Sequence, residues 1–270
     1  MDSYLETNGV RLRYRDQGHG LAVMLIHGWT LDLEMWNAQA AALARDFRIV
    51  RLDRRGFGLS SGEPSIAGDV TDLLALCRYL GIDSVALVGM SQGARVALQF
   101  AGACPSMVSC IVLDGPPELG RHTAASRSPD IPYAHYCELA QGEGLDAFRN
   151  EWSKHPLARL RTQDPESHAL LARMIARYPG RDLIATGGRG DAAPPAEQRE
   201  SVERPILVIN GEFDLESRHR FAKQLIAQFR QVESAVIPDA GHLCSLDNPS
   251  AYNNVLRQFL ARHSIPANTP

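Results

Sequence analysis

The sequence predicts an α/β fold: a mostly parallel sheet with helices on both faces and a helical cap inserted between two strands. Continuously apolar runs of strand length alternate with segments of helical periodicity along most of the chain. Such runs are typical of strands that helices cover on both sides, and their alternation with helices indicates βαβ units. Residues 115–202 interrupt the alternation, and this interruption predicts the inserted cap.

The predicted strands are short and lie between polar or glycine-containing segments. The alternating run RLRYRD indicates a strand that ends at Gly18. The later strands are apolar almost throughout, as expected where a parallel sheet is buried on both faces. They are predicted at residues 21–28, 47–53, 84–89, 108–114, 204–211 and 234–241.

Helical periodicity separates these strands. In residues 66–80, for example, Val70, Leu73, Leu74 and Cys77 recur at the spacing that brings side chains onto one helical face. Further helices are predicted at residues 37–44, 92–103, 217–229 and 249–263.

The interrupting segment divides the chain into a core, residues 1–114 and 203–270, and a cap, residues 115–202. Helical pieces are predicted at residues 146–155 and 165–178, the second starting with Asp164 as N-cap and Pro165 at the first helical position. The cap also contains GGRG, but no strand leads into it and no Lys-Ser/Thr follows, so it is not predicted to bind phosphate.

Composition argues for a globular protein with a small-molecule ligand. The 270 residues are 44% hydrophobic and 22% charged, with a net charge of −3 and no run of like charges. Neither nucleic acid nor a membrane surface is therefore an expected partner. The sequence leaves a homodimer open.

The cysteines predict neither disulfides nor a metal site. Five are scattered along the chain, without the Cys-x-x-Cys spacing of a zinc or redox motif. The N-terminus lacks the basic-then-apolar order of a signal peptide, and the run LAVMLI is too short to span a bilayer. A cytoplasmic location, with no metal and no cofactor, is the expectation.

One strand-to-helix junction is the predicted position of a reactive serine. The run SVALVG stops at Gly89-Met90-Ser91-Gln92-Gly93, and a helical pattern starts at once. Ligands gather at the carboxyl ends of the strands in an open parallel sheet. A residue on so tight a turn has strained backbone angles, and a Cβ two positions away would collide, which explains both glycines. The turn is predicted to hold the Ser91 hydroxyl out over the sheet.

Together with four other motifs, this junction resembles the α/β-hydrolase family over nearly the whole chain outside the cap. The motifs are HGW (27–29), DRRGFGLSS (53–61), GMSQG (89–93), NGEFD (210–214) and AGH (240–242). Each is weak alone, but all five occur in the family's order and at the ends of predicted strands.

The resemblance implies a Ser-His-acid triad in which Ser91 is the nucleophile and His242 is the base that takes its proton. The family's commoner pattern assigns the acid to Asp214, which would hold one tautomer of His242. Asp114 is the alternative, because some members take the acid from the end of the preceding strand. Glu212 is expected to face solvent.

The resemblance also implies an oxyanion hole made by the backbone N–H groups of Trp29 and Gln92. Met90 is predicted to line the pocket beneath the serine, with core packing as the alternative. His27, Arg54 and Arg55 are predicted to be structural. The cap is expected to roof the site, and the cap residues predicted to bind substrate are Tyr133, Tyr136 and Trp152.

A serine at this junction argues against haloalkane dehalogenases and epoxide hydrolases, which attack through a carboxylate. The motifs are similar to those of cofactor-free esterases and perhydrolases and of small enol-lactonases. The expected function is therefore a serine hydrolase that cleaves a small ester or lactone. An acyltransferase, a perhydrolase, a carbon–carbon bond hydrolase with the same triad and a ligand-binding receptor-like member stay open as alternatives.

Overall fold

A computed structural model describes residues 1–118, 130–184 and 203–263, and it confirms the predicted α/β architecture. The GGRG segment lies outside the described residues. Within them, eight strands form one sheet. The strands are β1 (Ser3–Thr7), β2 (Val10–Gln17), β3 (Ala22–Ile26), β4 (Arg48–Leu52), β5 (Val85–Met90), β6 (Val108–Asp114), β7 (Ile206–Gly211) and β8 (Val232–Ile237).

The strand order is β1-β2-β4-β3-β5-β6-β7-β8. Strands β1 and β2 are antiparallel to their neighbours, and every pair from β4 to β8 is parallel. The chain runs from β3 to β4 on one side and then crosses to β5 on the other side of β3. The carboxyl ends of β3 and β5 are therefore a topological switch point, which is where open α/β sheets bind ligands.

Helices cover both faces of the sheet. Those of the core are α1 (Asn37–Leu43), α2 (Ile66–Tyr79), α3 (Gln92–Ala103), α8 (Glu216–Ile226), α9 (Cys244–Asp247) and α10 (Pro249–His263). Two clusters of buried apolar side chains lie on the opposite faces, one including residues of α1 and α10 and the other residues of α2, α3 and α8. This double burial explains why the central strands are apolar throughout.

The cap helices lie between β6 and β7, as predicted. They are α4 (Tyr133–Gly142), α5 (Leu145–Trp152), α6 (Pro165–Arg177) and α7 (Arg181–Ile184). Asp164 caps α6 by accepting the N–H groups of Glu166 and Ser167, as its position before Pro165 predicts. Helices α4 and α7 were not predicted.

Strand β1 was also missed, although the sequence contains a signal for it. Asn8 and Gly9 both have positive φ, +49° and +73°, and join β1 to β2 in a tight hairpin. An Asn-Gly pair between alternating strands is the strongest short-range hairpin signal. Among the described residues, no helix is long and apolar enough to cross a bilayer.

Candidate active site

Ser91 lies between β5 and α3 in a strained backbone conformation. Its φ is +51° and its ψ is −113°, a combination that L residues rarely adopt and that clusters at functional sites. Its N–H donates to the carbonyl oxygen of Asp114 at 2.7 Å, which ties the turn to the end of β6. The strand-to-helix turn predicted around this serine is therefore present.

The two flanking glycines allow α3 to pack directly on the sheet. A Cβ on Gly89 would lie 2.3 Å from the carbonyl oxygen of Gly93, and a Cβ on Gly93 would lie 2.4 Å from that of Ile26. Both obstacles are backbone atoms, which cannot swing away. The predicted reason for the glycines, a steric collision, is confirmed.

His242 and Asp214 form a buried hydrogen-bonded pair at the ends of β8 and β7. The Nδ1 atom of His242 lies 3.0 and 3.1 Å from the two carboxylate oxygens of Asp214. Burial raises the pKa of Asp214, but the charge and hydrogen bond of His242, assisted by the N–H of Leu215 and by Arg218, outweigh it and lower the pKa. Asp214 is therefore ionised at neutral pH, and it engages Nδ1, so Nε2 is the ring nitrogen left for a substrate or nucleophile.

Asp114, the alternative acid, has a different partner. Its carboxyl is fully buried and accepts the thiol of Cys244 at 3.1 Å. Burial raises the pKa of Asp114 to about 7. Within the described part of the chain, its side chain makes no hydrogen bond to His242, whereas Asp214 does.

The turn that follows β3 packs against the serine turn. A Cβ on Gly28 would lie 2.6 Å from Sδ of Met90 and 3.4 Å from Cβ of Ser91. The His27 ring fixes this turn, with Nδ1–H donating to the carbonyl of Gly28 at 2.7 Å.

The other ring nitrogen of His27, Nε2, accepts the N–H of Arg54 at 2.9 Å. Burial and the nearby Arg54 guanidinium hold the pKa of His27 well below its usual range, so the ring is neutral. The predicted structural role of His27 agrees with these contacts.

The expected oxyanion donors flank Ser91 on two sides. Trp29 belongs to the turn after β3, and Gln92 is the first residue of α3. Neither backbone N–H has a hydrogen-bond partner among residues 1–118, 130–184 and 203–263. The Gln92 side chain accepts Arg54 Nη2 at 2.5 Å, so Arg54 holds the start of α3.

Ser91 and His242 line one cavity beneath the cap, which encloses about 340 Å³ of space between atoms, part of it open to solvent. Met90 and Trp152, both predicted to bind substrate, also line it. The remaining lining residues are mostly apolar: Trp29, Thr30, Leu31, Ile131, Leu157, Ala158, Leu171 and Leu243. No Asp, Glu, Lys or Arg lines the cavity within residues 1–118, 130–184 and 203–263.

Tyr133 and Tyr136 do not line this cavity. The Tyr136 ring is buried against Trp29, Phe148 and Trp152, with centroids 5.2 to 6.4 Å apart. The Tyr133 hydroxyl donates to the backbone carbonyl of Asp182. Tyr136 is buried inside the cap and Tyr133 is half-buried beside it, where their large rings cover the apolar faces of short helices.

Sequence reasoning missed most of the cavity wall. Thr30 and Leu31 directly follow HGW, so their position in the chain could have indicated them. Leu157 and Leu171 come from separate cap segments, and they meet only because of how the cap folds.

Two residues expected to lie outside the site do so. Arg55 pairs with Asp72 at 2.8 Å and does not line the cavity, and Glu212 is exposed.

The five cysteines are free, and no cluster of three or more metal-binding side chains occurs in the described residues.

The fold, the strained serine and the His242–Asp214 pair together indicate which protein family the chain belongs to. A sequence model of the α/β hydrolase fold matches residues 22–249. The chain therefore belongs to the α/β hydrolase family, as its motifs predicted.

Individual relatives agree with this assignment. A Bacillus subtilis (strain 168) protein, provisionally named 2-succinyl-6-hydroxy-2,4-cyclohexadiene-1-carboxylate synthase, is 25% identical over 94% of this chain and 96% of its own length. A thermophilic esterase from Thermogutta terrifontis is 28% identical, with a TM-score of 0.81 over 97% of this chain and 98% of its own. The enol-lactonase from Burkholderia xenovorans LB400 shares the fold at 24% identity. Its TM-score is 0.82, and the match covers 96% of this chain and 100% of the enol-lactonase. Family membership and the similarity to the Thermogutta terrifontis esterase support hydrolase activity.

The packing at Gly93 predicts a stability difference between two glycines. Gly93→Ala is expected to lower the free energy of unfolding by at least about 2 kcal/mol, because the new methyl group would overlap the Ile26 carbonyl. Gly142→Ala is the matched control: an added Cβ there meets no atom within 4 Å, and alanine in a helix is worth up to about 1 kcal/mol over glycine. Urea unfolding measures both, and equal effects would contradict the steric explanation.

The raised pKa of Asp114 predicts a pH-dependent stability. The unfolded carboxyl loses its proton near pH 4 and the folded one near pH 7, so native stability falls as pH rises between these values. Asp114→Asn cannot ionise. The stability of this variant relative to the native chain is therefore expected to increase from pH 4.5 to pH 7 and to level off above pH 8. Urea unfolding at pH 4.5, 6 and 8 tests this, and a difference independent of pH would refute it.

Proposed function

We propose that this protein is a serine hydrolase that cleaves a carboxylic ester or lactone of a small molecule. One observation carries the proposal: the strained Ser91 and the Asp214-bonded His242 line the same largely apolar cavity. A serine hydroxyl is a poor nucleophile at neutral pH unless a base takes its proton. The imidazole of His242, oriented through Nδ1, supplies that base.

In the first half of the proposed reaction, Ser91 Oγ attacks the carbonyl carbon of the substrate and its proton passes to His242 Nε2. The tetrahedral intermediate collapses when the bond to the leaving oxygen breaks, and His242 gives the proton to that oxygen. This leaves an acyl group on Ser91 and a free alcohol, or the opened chain of a lactone. In the second half, His242 takes a proton from water as the water oxygen attacks the acyl carbon. The bond from that carbon to Ser91 Oγ then breaks, His242 returns the proton to Ser91, and the carboxylic acid is released.

Electrostatics favours the charges that form in this cycle. The ionised Asp214 stabilises the imidazolium of His242 in a buried environment. The N–H groups of Trp29 and Gln92 are proposed to bind the oxyanion, and removing one such donor typically costs about 10²–10³ in rate. Met90 and Trp152 are proposed to contact the substrate.

The cavity wall supports a small, uncharged substrate group. Apolar side chains dominate it, and among the described residues that line it there is no Asp, Glu, Lys or Arg to pair with a phosphate, a carboxylate or an amine. The similarity to the Thermogutta terrifontis esterase supports an ester substrate in particular. No cofactor takes part in the proposed reaction.

Acyl transfer, perhydrolysis and carbon–carbon bond cleavage would use the same three side chains. The similarity to the Bacillus subtilis synthase is the reason to test reactions other than ester hydrolysis. The purified protein should therefore be assayed against short esters, γ-lactones and homoserine lactones, with the products identified. Release of the free acid with each ester turned over is the expected result. Tight ligand binding without turnover would instead favour a receptor-like member.

Ser91→Ala is expected to reduce ester hydrolysis by about 10⁴-fold or more, because no other oxygen replaces the nucleophile. Since the side chain lies in a cavity and loses one oxygen, the thermal midpoint should change little. A fluorophosphonate probe should label Ser91 in the native chain and leave the variant unlabelled. Labelling at a different serine would overturn the assignment.

Replacing the two candidate acids should have unequal effects on turnover. Asp214→Asn is expected to lower kcat/KM by about 10²–10⁴, since an amide stabilises neither the His242 imidazolium nor its required tautomer. Asp114→Asn still offers an oxygen to Cys244, so a loss below about tenfold is expected. Initial rates with one ester at pH 7 measure both variants. The reverse ranking would move the acid to the end of β6.

A further inference from the structure

Two indole hydrogen bonds, which run in opposite directions, join the cap to residues 28–31. This segment is called the oxyanion turn below, because it contains the proposed donor Trp29. The Trp29 indole donates from the turn to the carboxylate of Asp182 in α7 at 2.8 Å. The Trp152 indole donates from α5 to Oγ1 of Thr30 in the turn at 2.8 Å.

These two bonds form at the centre of an aromatic cluster. The rings of Trp29 and Trp152 meet edge to face with centroids 4.8 Å apart, and Phe148 and Tyr178 pack around Trp29 at 5.7 and 5.9 Å. The hydroxyl of Tyr178 donates to the other carboxylate oxygen of Asp182. Rotation of the Asp182 side chain away from Trp29 would therefore break two hydrogen bonds at once.

The oxyanion turn has a backbone conformation that needs such support. Thr30 has a φ of +62°, in the left-handed region that β-branched residues strongly disfavour. A conformation of this kind persists only where surrounding contacts enforce it. Thr30 is 1% exposed, and its one side-chain oxygen accepts the Trp152 indole, so the cap supplies one of those contacts.

We propose that Asp182 and Trp152 are positioning residues, which hold the oxyanion turn so that the Trp29 N–H points at the developing oxyanion. This inference rests on the proposed function, because it assigns an oxyanion to that N–H. The cap thus roofs the cavity and also completes the oxyanion hole. A donor displaced by about 1 Å can cost up to about 100-fold in rate, so small movements of the cap would change kcat.

The Trp152–Thr30 bond can be removed from either end. Thr30→Val keeps the branched shape and loses the acceptor, whereas Trp152→Phe keeps an aromatic ring and loses the donor. Each is expected to lower kcat by about 10- to 100-fold with KM changed less than threefold. If both act through one bond, the double variant should be no slower than the slower single variant. Thr30→Ser, which retains the acceptor, should restore most of the loss.

The Trp29–Asp182 bond is tested with Asp182→Ala and Asp182→Asn. The alanine variant is expected to lose kcat as Thr30→Val does, and the asparagine variant, whose amide oxygen can accept the indole N–H, should recover part of it. Benzeneboronic acid provides a second readout, because Ser91 adds to boron and leaves a boron-bound oxygen in the oxyanion position. Its inhibition constant should rise in parallel with the loss of kcat.

His135→Gln is the control for general loosening of the cap. His135 pairs with Glu151 on the exposed side of the cap and does not contact the oxyanion turn. This variant should keep native kcat and boronate affinity. A loss of kcat equal to that of Thr30→Val would show that any cap perturbation suffices and would overturn the proposal.

Labelling of Ser91 by a fluorophosphonate in the native chain separates this inference from the proposed function. If Ser91 is not labelled, the function itself is wrong. If Ser91 is labelled but the Thr30, Trp152 and Asp182 variants keep native kcat and boronate affinity, the function stands and only the positioning role fails. Multiplicative losses in the Thr30→Val, Trp152→Phe double variant would also refute a shared bond.

Discussion

Helix α3 packs so closely on the sheet that only glycine fits at positions 89 and 93. This approach forces the backbone at Ser91 into a left-handed conformation and brings the start of α3 beside the turn after β3. Ile26 and Gly89 lie opposite each other in the parallel pair of β3 and β5. The proposed nucleophile and both proposed oxyanion donors therefore depend on one steric constraint at the switch point of the sheet.

Burial sets the charge states around this junction, and the partner of each group decides its role. Burial next to an arginine keeps His27 neutral. The hydrogen bonds of its two ring nitrogens connect the loop after β3 to the loop after β4. His242 instead places Nδ1 against the carboxylate of Asp214, whose pKa this contact lowers, and keeps Nε2 free of that pair. Burial, with the charge of Asp214 nearby, raises the pKa of Asp114 to about 7, and the Cys244 thiol and the Tyr252 hydroxyl beside it do not offset this. Two aspartates at the ends of adjacent strands thus differ because their neighbours differ.

The sequence predicted what local rules determine, and it missed what long-range packing determines. Buried strands, the glycines around Ser91 and the family motifs at strand ends follow from short segments, and the structure brings Ser91 and His242 to one cavity. Tyr133 and Tyr136 face the cap interior because helices distant in sequence meet there, which no local pattern indicates. The contacts of Trp29 with Asp182 and of Thr30 with Trp152 also join residues more than a hundred positions apart. Strand β1 is different, since its Asn-Gly turn was visible in the sequence.

The central claim is that Ser91 becomes acylated during turnover. Rapid mixing with p-nitrophenyl acetate followed by acid quenching tests this claim most directly, with peptide mass analysis to locate the adduct. A burst approaching one p-nitrophenolate per chain, with an acetyl group on Ser91, is the predicted result. Steady turnover with no acetylated peptide under any quench time, or an acetyl group on another residue, would contradict the account.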